Sequence, residues 1–431
     1  MNVVTHRIPG LVLTDHTFDI PLDHAAPDGE RISVFAREVV AAGREADKLP
    51  WLVFFQGGPG SPSPRPTGSS GWLKRALRDY RVLLLDQRGT GRSTPVTTQT
   101  LARFTSAQAM ADYLKHFRAD AIVQDAEWVR RALVGEHERW SALGQSYGGF
   151  CITHYLSVAP DSLKEALSTG GLPPLDRPAD EVYRATYRRV IAQNQRYYER
   201  YPDDAERAQA IVSHLAGNEV YLPTGDRLSP RRFQQLGQGF GASDGFEQVH
   251  YLLEDAFVQG ASGPELGYGF LRGVENAQSF ETNPIYAILH EAIYCQQAAS
   301  RWAAERVRGE YPEFALSPDR PVFFTGEMIY PWMFDEYRWL RPLKEAAEIL
   351  AAYEGWPMLY DPAVLRANRV PCAAAIYYDD MYVERSFSEE TAQTIRGIRV
   401  WVTNEYAHNG LRANGDVVLD RLLGMLRGDI D

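Results

Sequence analysis

The chain has 431 residues, of which 45% are hydrophobic and 23% charged. That is ample material for a packed core and excludes disorder as the main state; the length suits two or three domain-sized units or one large domain with an insertion. A net charge of −11, from 45 basic and 56 acidic residues, excludes the basic footprint that a nucleic-acid partner demands.

Aromatic residues reach 12%, with 23 Tyr and 9 Trp, a composition that leans towards aromatic-lined pockets. Three scattered cysteines, Cys151, Cys295 and Cys372, build neither a disulfide framework nor a zinc site and point to a reducing compartment. The N-terminal MNVVTHRIPGLVLTDHTFDI has no basic stretch followed by an apolar signal core. No apolar run approaches the roughly 18 residues of a membrane span. The expectation is a cytoplasmic protein with no membrane partner.

In chain order, residues 1–45 alternate polar and apolar positions around the turn-rich AAPDGE, which suits antiparallel strands. Two short apolar runs follow, at 51–55 and 82–85, each ending in a Gly-rich or polar loop. Runs of that kind suit strands buried on both faces of a parallel sheet. A helix is predicted over 71–78 between them and another over 119–133, where Ile122, Ala126, Val129 and Leu133 share a face. A strand at 140–143, the sequence GQSYGG and a helix over 150–156 complete a βαβ alternation, hence an open α/β sheet with helices on both faces.

The pattern breaks at the Pro/Gly-rich GGLPPLDRP of residues 170–178. From about 179 to 365 only helical candidates and aromatic-rich loops appear. Strands return at 372–378 and 398–403, and a closing amphipathic helix spans 415–427. The predicted organisation is therefore an α/β core over 1–175, an all-helical insertion over 176–366, and the rest of the core over 367–431.

Gly144-Gln145-Ser146-Tyr147-Gly148 matches G-x-S-x-G between a strand and a helix. Small flanking residues let a serine there adopt strained dihedrals and project its hydroxyl above the sheet, with the following helix aimed at a developing oxyanion. Gln56-Gly57-Gly58-Pro59-Gly60 follows an earlier strand, where backbone N–H groups of Gly57 and Gly58 could join that of Tyr147 as oxyanion donors. In this architecture the order runs Ser, acid, His. Of ten histidines only His408 lies beyond residue 290, in a loop between the last strand and last helix. The acid belongs at the end of the preceding strand, where Asp379 and Asp380 stand together; Asp380 is favoured and Glu384 is a third choice.

Other signals lead elsewhere. His290-Glu291-Ala292-Ile293-Tyr294 lacks the second histidine of a zinc clamp, and Asp86-Gln87-Arg88-Gly89-Thr90-Gly91 continues into neither a dinucleotide fingerprint nor a phosphate loop. No metal or cofactor is implied. Arg88 and Arg92 read as ties between strand ends through backbone carbonyls.

The chain resembles the α/β-hydrolase superfamily and, within it, the longer prolyl aminopeptidases (proline iminopeptidases). The resemblance rests on GGPG at 57–60, DQRGTGRS at 86–93, GQSYGG at 144–149, DDMYV at 379–383 and EYAHNG at 405–410. It departs at Gln56, where many relatives carry His, and at Tyr147, where Trp is frequent. The resemblance implies that the insertion is a cap whose glutamates bind the α-ammonium group of a small peptide substrate. Glu291 and Glu327 are the cap acids set among apolar and aromatic residues. Tyr294, Tyr330, Trp332 and Phe334 are candidates for the pocket that takes the pyrrolidine ring.

The function so implied is release of an N-terminal proline through an acyl-enzyme on Ser146, with His408 as base and Asp380 orienting it. An esterase using the same triad, and an inactive hydrolase fold used for binding, are the alternatives. An epoxide hydrolase or dehalogenase is disfavoured because those chemistries want Asp where Ser146 stands.

Overall fold

The computed structural model describes residues 2–430. Its centre is a nine-stranded sheet in the order β1-β2-β3-β5-β4-β6-β7-β10-β11. β1 (Asn2–Ile8), β2 (Leu11–Pro21) and β3 (Arg31–Ala41) form an antiparallel meander, and β3 lies antiparallel to β5 (Arg81–Leu85). From β5 onward the strands run parallel: β4 (Trp51–Phe55), β6 (Trp140–Gln145), β7 (Leu163–Thr169), β10 (Cys372–Tyr377) and β11 (Ile398–Thr403).

The two-residue period of the strands divides the core. Leu52, Phe54, Val82 and Leu84 point to the face covered by helices Gly71–Ala76 and Gly415–Arg427. Val53, Phe55, Leu83 and Leu85 point to the opposite face, covered by helices Ala119–Leu133 and Tyr147–Val158. Burial on both faces is what continuous apolar strands require. β7 is a strand that the apolar pattern does not announce, because Lys164 and Glu165 interrupt it. Glu165 instead satisfies neighbours, accepting hydrogen bonds from Tyr80 and from Ser141 Oγ (2.8 Å).

The chain leaves the sheet after β7 and returns at β10. Between them lie mostly helices, the longest being Ala179–Arg200. They pack against the Tyr147–Val158 side of the sheet in one continuous apolar cluster. The insertion is not purely helical: β8 (Phe257–Gly260) and β9 (Gly263–Leu266) form an antiparallel hairpin. Glycines at both ends of its two-residue turn, with Gly263 at φ 125°, permit the reversal that helix periodicity alone misses. Among the described residues no helix is long and apolar enough to cross a membrane.

Arg88 is a structural tie, as its place in the sequence suggests. Its guanidinium forms a bidentate pair with Asp125 and also donates to the carbonyls of Leu22 and His116 at 2.7 Å. Both partners are almost fully buried. Arg92 works differently from the expectation: it pairs with Asp15 at 2.6 Å and lies over the Phe35 ring, 4.3 Å from its centroid, using no backbone carbonyl. Arg88→Met leaves the buried Asp125 carboxylate with only His24, 2.8 Å from its Oδ1, and should cost about 3 kcal/mol of unfolding free energy in a urea titration. A loss below about 1 kcal/mol would show that the pair does not hold the β5 loop in place.

Candidate active site

β6 ends at Gln145 and the next helix begins at Tyr147, so Ser146 alone makes the turn. It takes φ 55° and ψ −127°, a left-handed conformation costly for a side-chain-bearing residue. Surrounding contacts impose it. The Ser146 N–H donates to the carbonyl of Thr169 at 3.0 Å and its carbonyl accepts from Gly149 N–H at 2.7 Å. Gly57 lies so close that a Cβ there would stand 2.9 Å from Ser146 Cβ and 2.8 Å from Gln145 Oε1. The elbow and the Gln56–Gly60 loop are therefore in contact, and the N–H of Tyr147, at the first helical position, has no partner within its helix.

The Gln56–Gly60 loop is held from below. Gln87 Nε2 donates to the Gln56 carbonyl at 2.9 Å. Asp86, fully buried, accepts from the N–H groups of Ser63 (3.1 Å) and Arg92 (2.9 Å) and forms a two-pronged pair with Arg65. The DQRG motif thus fastens the loop after β5 to the loop after β4.

His408 Nδ1 lies 2.7 Å from Asp380 Oδ2. The other carboxylate oxygen, Oδ1, accepts from the N–H groups of Tyr382 (2.8 Å) and Val383 (3.0 Å). The pair is 2% and 6% exposed for Asp380 and His408 respectively. Burial opposes charging of the imidazole, but the charge and hydrogen bond of Asp380 outweigh it, and His408 is held above the ordinary histidine value. Asp379 turns outward and pairs with Arg196 at 3.0 Å; Glu384 pairs with Arg189 at 2.7 Å and caps the following helix. Of the three acids, Asp380 alone reaches His408. Both His408 and Ser146 border the bend after β7: a Cβ on Gly170 would lie 3.2 Å from His408 Nδ1, and one on Gly171 would collide with the Ser146 carbonyl. Ser146 Oγ makes no hydrogen bond to His408 in this structure.

On the cap side, Glu327 accepts a hydrogen bond from Tyr286 OH at 2.6 Å and stands 3.6 Å from His290 Nε2. His290 Nδ1 meets Tyr183 OH at 3.2 Å. Burial raises the Glu327 carboxyl, but His290 and Tyr286 hold it below the usual value, with a further contribution from His408. Tyr294 lies among Phe150, Tyr183 and His290, with Glu327 and Asp380 near enough to act on its hydroxyl.

Two expectations need correction. Glu291 does not present a free carboxylate: its oxygens accept from Ala303 N–H (3.1 Å) and Ala304 N–H (2.8 Å), capping helix Ala303–Arg308, and burial pushes its pKa up. Tyr330 lies inside the cap, its hydroxyl 3.0 Å from that of Tyr187 and its ring stacked on Trp332. In both cases a partner within the cap satisfies the polar group, and that pairing is invisible in the sequence. The residues not singled out beforehand are Tyr286, His290, Tyr183 and Tyr382. Tyr382 falls within DDMYV and sets its ring edge-on to His408 at 4.8 Å; His290 falls within the set-aside HEAIY. Tyr183 and Tyr286 carry no local signal.

Residues 50–213 match a family model described as the alpha/beta hydrolase fold. Over 421 residues the chain is 52% identical to a proline iminopeptidase of Aeromonas sobria, covering 97% of this chain and 98% of that one. The chain belongs to the proline iminopeptidase family. A second proline iminopeptidase, from Aspergillus aculeatus, is 35% identical, with 99% of this chain and 96% of that one covered. The crystal structure of a proline iminopeptidase from Mycobacterium smegmatis aligns over 96% of this chain and 98% of that one, at 12% identity and a TM-score of 0.47. Membership in the proline iminopeptidase family makes the chain a serine hydrolase of the prolyl-aminopeptidase type, the class its motifs imply.

The two neighbouring aspartates give a direct test. Asp380→Asn should lower kcat by on the order of 10⁴, the effect of removing the carboxylate that orients an imidazole. Asp379→Asn should stay within about threefold, since it loses only an exposed ion pair. Equal effects in the two variants would refute the assignment of Asp380.

Proposed function

We propose that this proline iminopeptidase family member releases the N-terminal proline of small peptides, with Ser146, His408 and Asp380 as its catalytic triad. The observation that carries the reading is the placement of a strained serine elbow and a buried His–Asp pair beside a single cap carboxylate held in its charged form, Glu327. The names of the two curated relatives agree with it.

Ser146 Oγ attacks the carbonyl carbon of the first residue while His408 Nε2 takes its proton. Asp380, on Nδ1, fixes the tautomer and stabilises the imidazolium. The negative charge moves to the carbonyl oxygen, where Tyr147 N–H and an N–H of Gly57 or Gly58 receive it, each such donor worth about 3–4 kcal/mol. The C–N bond then breaks, His408 returns the proton to the leaving amine, and an acyl-enzyme remains. Water, deprotonated by the same histidine, adds to the acyl carbon and releases proline and free serine.

The exopeptidase register comes from Glu327. A charged carboxylate in a partly buried, aromatic setting pairs well with the substrate's ammonium group through charge-assisted hydrogen bonds. A hydrogen bond from Tyr286 holds that carboxylate, with His290 Nε2 at 3.6 Å, and Tyr294, with Phe150 and Tyr183 behind it, offers the apolar wall for a pyrrolidine ring.

Hydrolysis of proline arylamide should be abolished by N-acetylation and by Ser146→Ala. Glu327→Gln should lower kcat/KM for the free amine on the order of a hundredfold, with much less effect on a simple aryl ester. Cleavage indifferent to acetylation, with strong ester hydrolysis, would replace the peptidase reading by an esterase. Because catalysis needs neutral His408 and Asp380 raises its pKa, the acid limb of kcat/KM should have its midpoint above the ordinary histidine value of about 6.5. The residual activity of Asp380→Asn should have its acid limb at lower pH; a limb that stays in place would assign the titration to another group.

A further inference from the structure

A cavity of about 560 Å³ opens beside His408. Its floor is Phe54, Trp72 and Leu411, its roof the 64–71 loop, and Gln56, Gln145, Tyr382 and His408 close its inner end. Tyr382 and His408 belong to its lining, whereas Glu327 does not. The cavity is within the size range of small-molecule sites.

Its charge is unusual for this chain. The overall balance is −11, yet the lining residues include Arg65 and Arg412 and no Asp or Glu. Arg65 is committed to Asp86 by its two-pronged pair. Arg412 is not committed: its nearest carboxylate is Asp244 at 3.8 Å, with both side chains largely exposed. Arg412 follows His408 by four residues, on the short helix Gly410–Ala413, and Asn409 between them is fixed by Ser243, which donates to Asn409 Oδ1 at 2.8 Å from its hydroxyl.

We propose that this cavity receives the departing part of the substrate and that Arg412 recognises its C-terminal carboxylate, making dipeptides and other very short peptides the preferred substrates. The inference rests on the peptidase reading above. With the ammonium at Glu327 and the scissile carbon at Ser146, the leaving nitrogen must face His408 to take its proton. The chain beyond that nitrogen then runs away from Glu327 and into the cavity. In a dipeptide the next charged group is the carboxylate, and Arg412 is the one uncommitted cation among the cavity's lining residues. The substrate would lie between an anion for its ammonium and a cation for its carboxylate, and longer peptides would place only a neutral amide there.

The test compares kcat/KM for prolylglycine and prolylglycinamide, in the wild type, Arg412→Gln and Arg412→Lys. The wild type should favour the acid by about tenfold, the scale of one hydrogen-bonded charge pair. Arg412→Gln should bring the ratio close to one, and Arg412→Lys should retain part of the preference. The wild-type preference should also shrink as salt is raised, because the pair is solvent-exposed. A wild-type ratio near one, or an Arg412→Gln variant that loses activity on both substrates with the ratio unchanged, would overturn the proposal. Proline arylamide carries no carboxylate, so its cleavage by the wild type keeps the two readings apart. Failure there would sink the peptidase assignment itself, whereas success with no acid preference would sink only the carboxylate site.

Discussion

Everything at this site depends on one turn of backbone. Ser146 must leave a strand and enter a helix within a single residue, and it does so at positive φ because Gly57, Gly148 and Gly171 leave room for backbone to pass within contact distance. The strain is supported by hydrogen bonds on both sides of the serine, to Thr169 and from Gly149. The same crowding fixes the Gln56–Gly60 loop against the elbow, so the two expected sources of oxyanion donors are positioned by one packing event. Preorganisation of this kind means that little reorganisation is needed at the moment of reaction.

The electrostatics are arranged outward from that turn. Asp380 spends one oxygen on two backbone N–H groups and the other on His408, so its own orientation is set before it sets that of the imidazole. Glu327 lies close enough to support the charge on His408, while His290 and Tyr286 keep Glu327 ionised. A buried carboxylate and a partly buried one near one imidazole would be costly in isolation. Here each has its own donors, which is the condition under which buried charge is tolerated.

The cap joins this scheme through side-chain ties. Asn194, on the longest cap helix, exchanges two hydrogen bonds with the backbone of Phe324 at 2.8 and 2.9 Å, three residues before Glu327. Arg118, at the start of a core helix, donates to the carbonyls of Ala292 and Cys295 on either side of Tyr294. One tie fixes the segment that carries Glu327 and the other the segment that carries Tyr294, so irregular stretches of the cap acquire the rigidity of the helices behind them.

The sheet, the serine elbow, the Gly57–Gly58 loop and the single C-terminal histidine were legible in the sequence because each depends on local rules. Apolar runs of strand length, small residues around a strained turn and the order of chemistry along the chain all leave marks within a few positions. β7 was hidden because Lys164 and Glu165 broke its apolar run, and the β8–β9 hairpin because four-residue strands carry little periodicity. The choice between Asp379 and Asp380 was not local: the two differ only in whether they face Arg196 or His408, which the packing of β10 against its neighbours decides. The same holds for the cap. Glu291 and Glu327 sit in similar apolar surroundings along the chain, yet one is taken up by the N-terminus of a helix and the other by the hydroxyl of Tyr286. Sequence determines which groups exist and how each strand or helix begins. Only the tertiary structure determines which buried polar group meets which partner, because those pairings join segments tens to hundreds of residues apart.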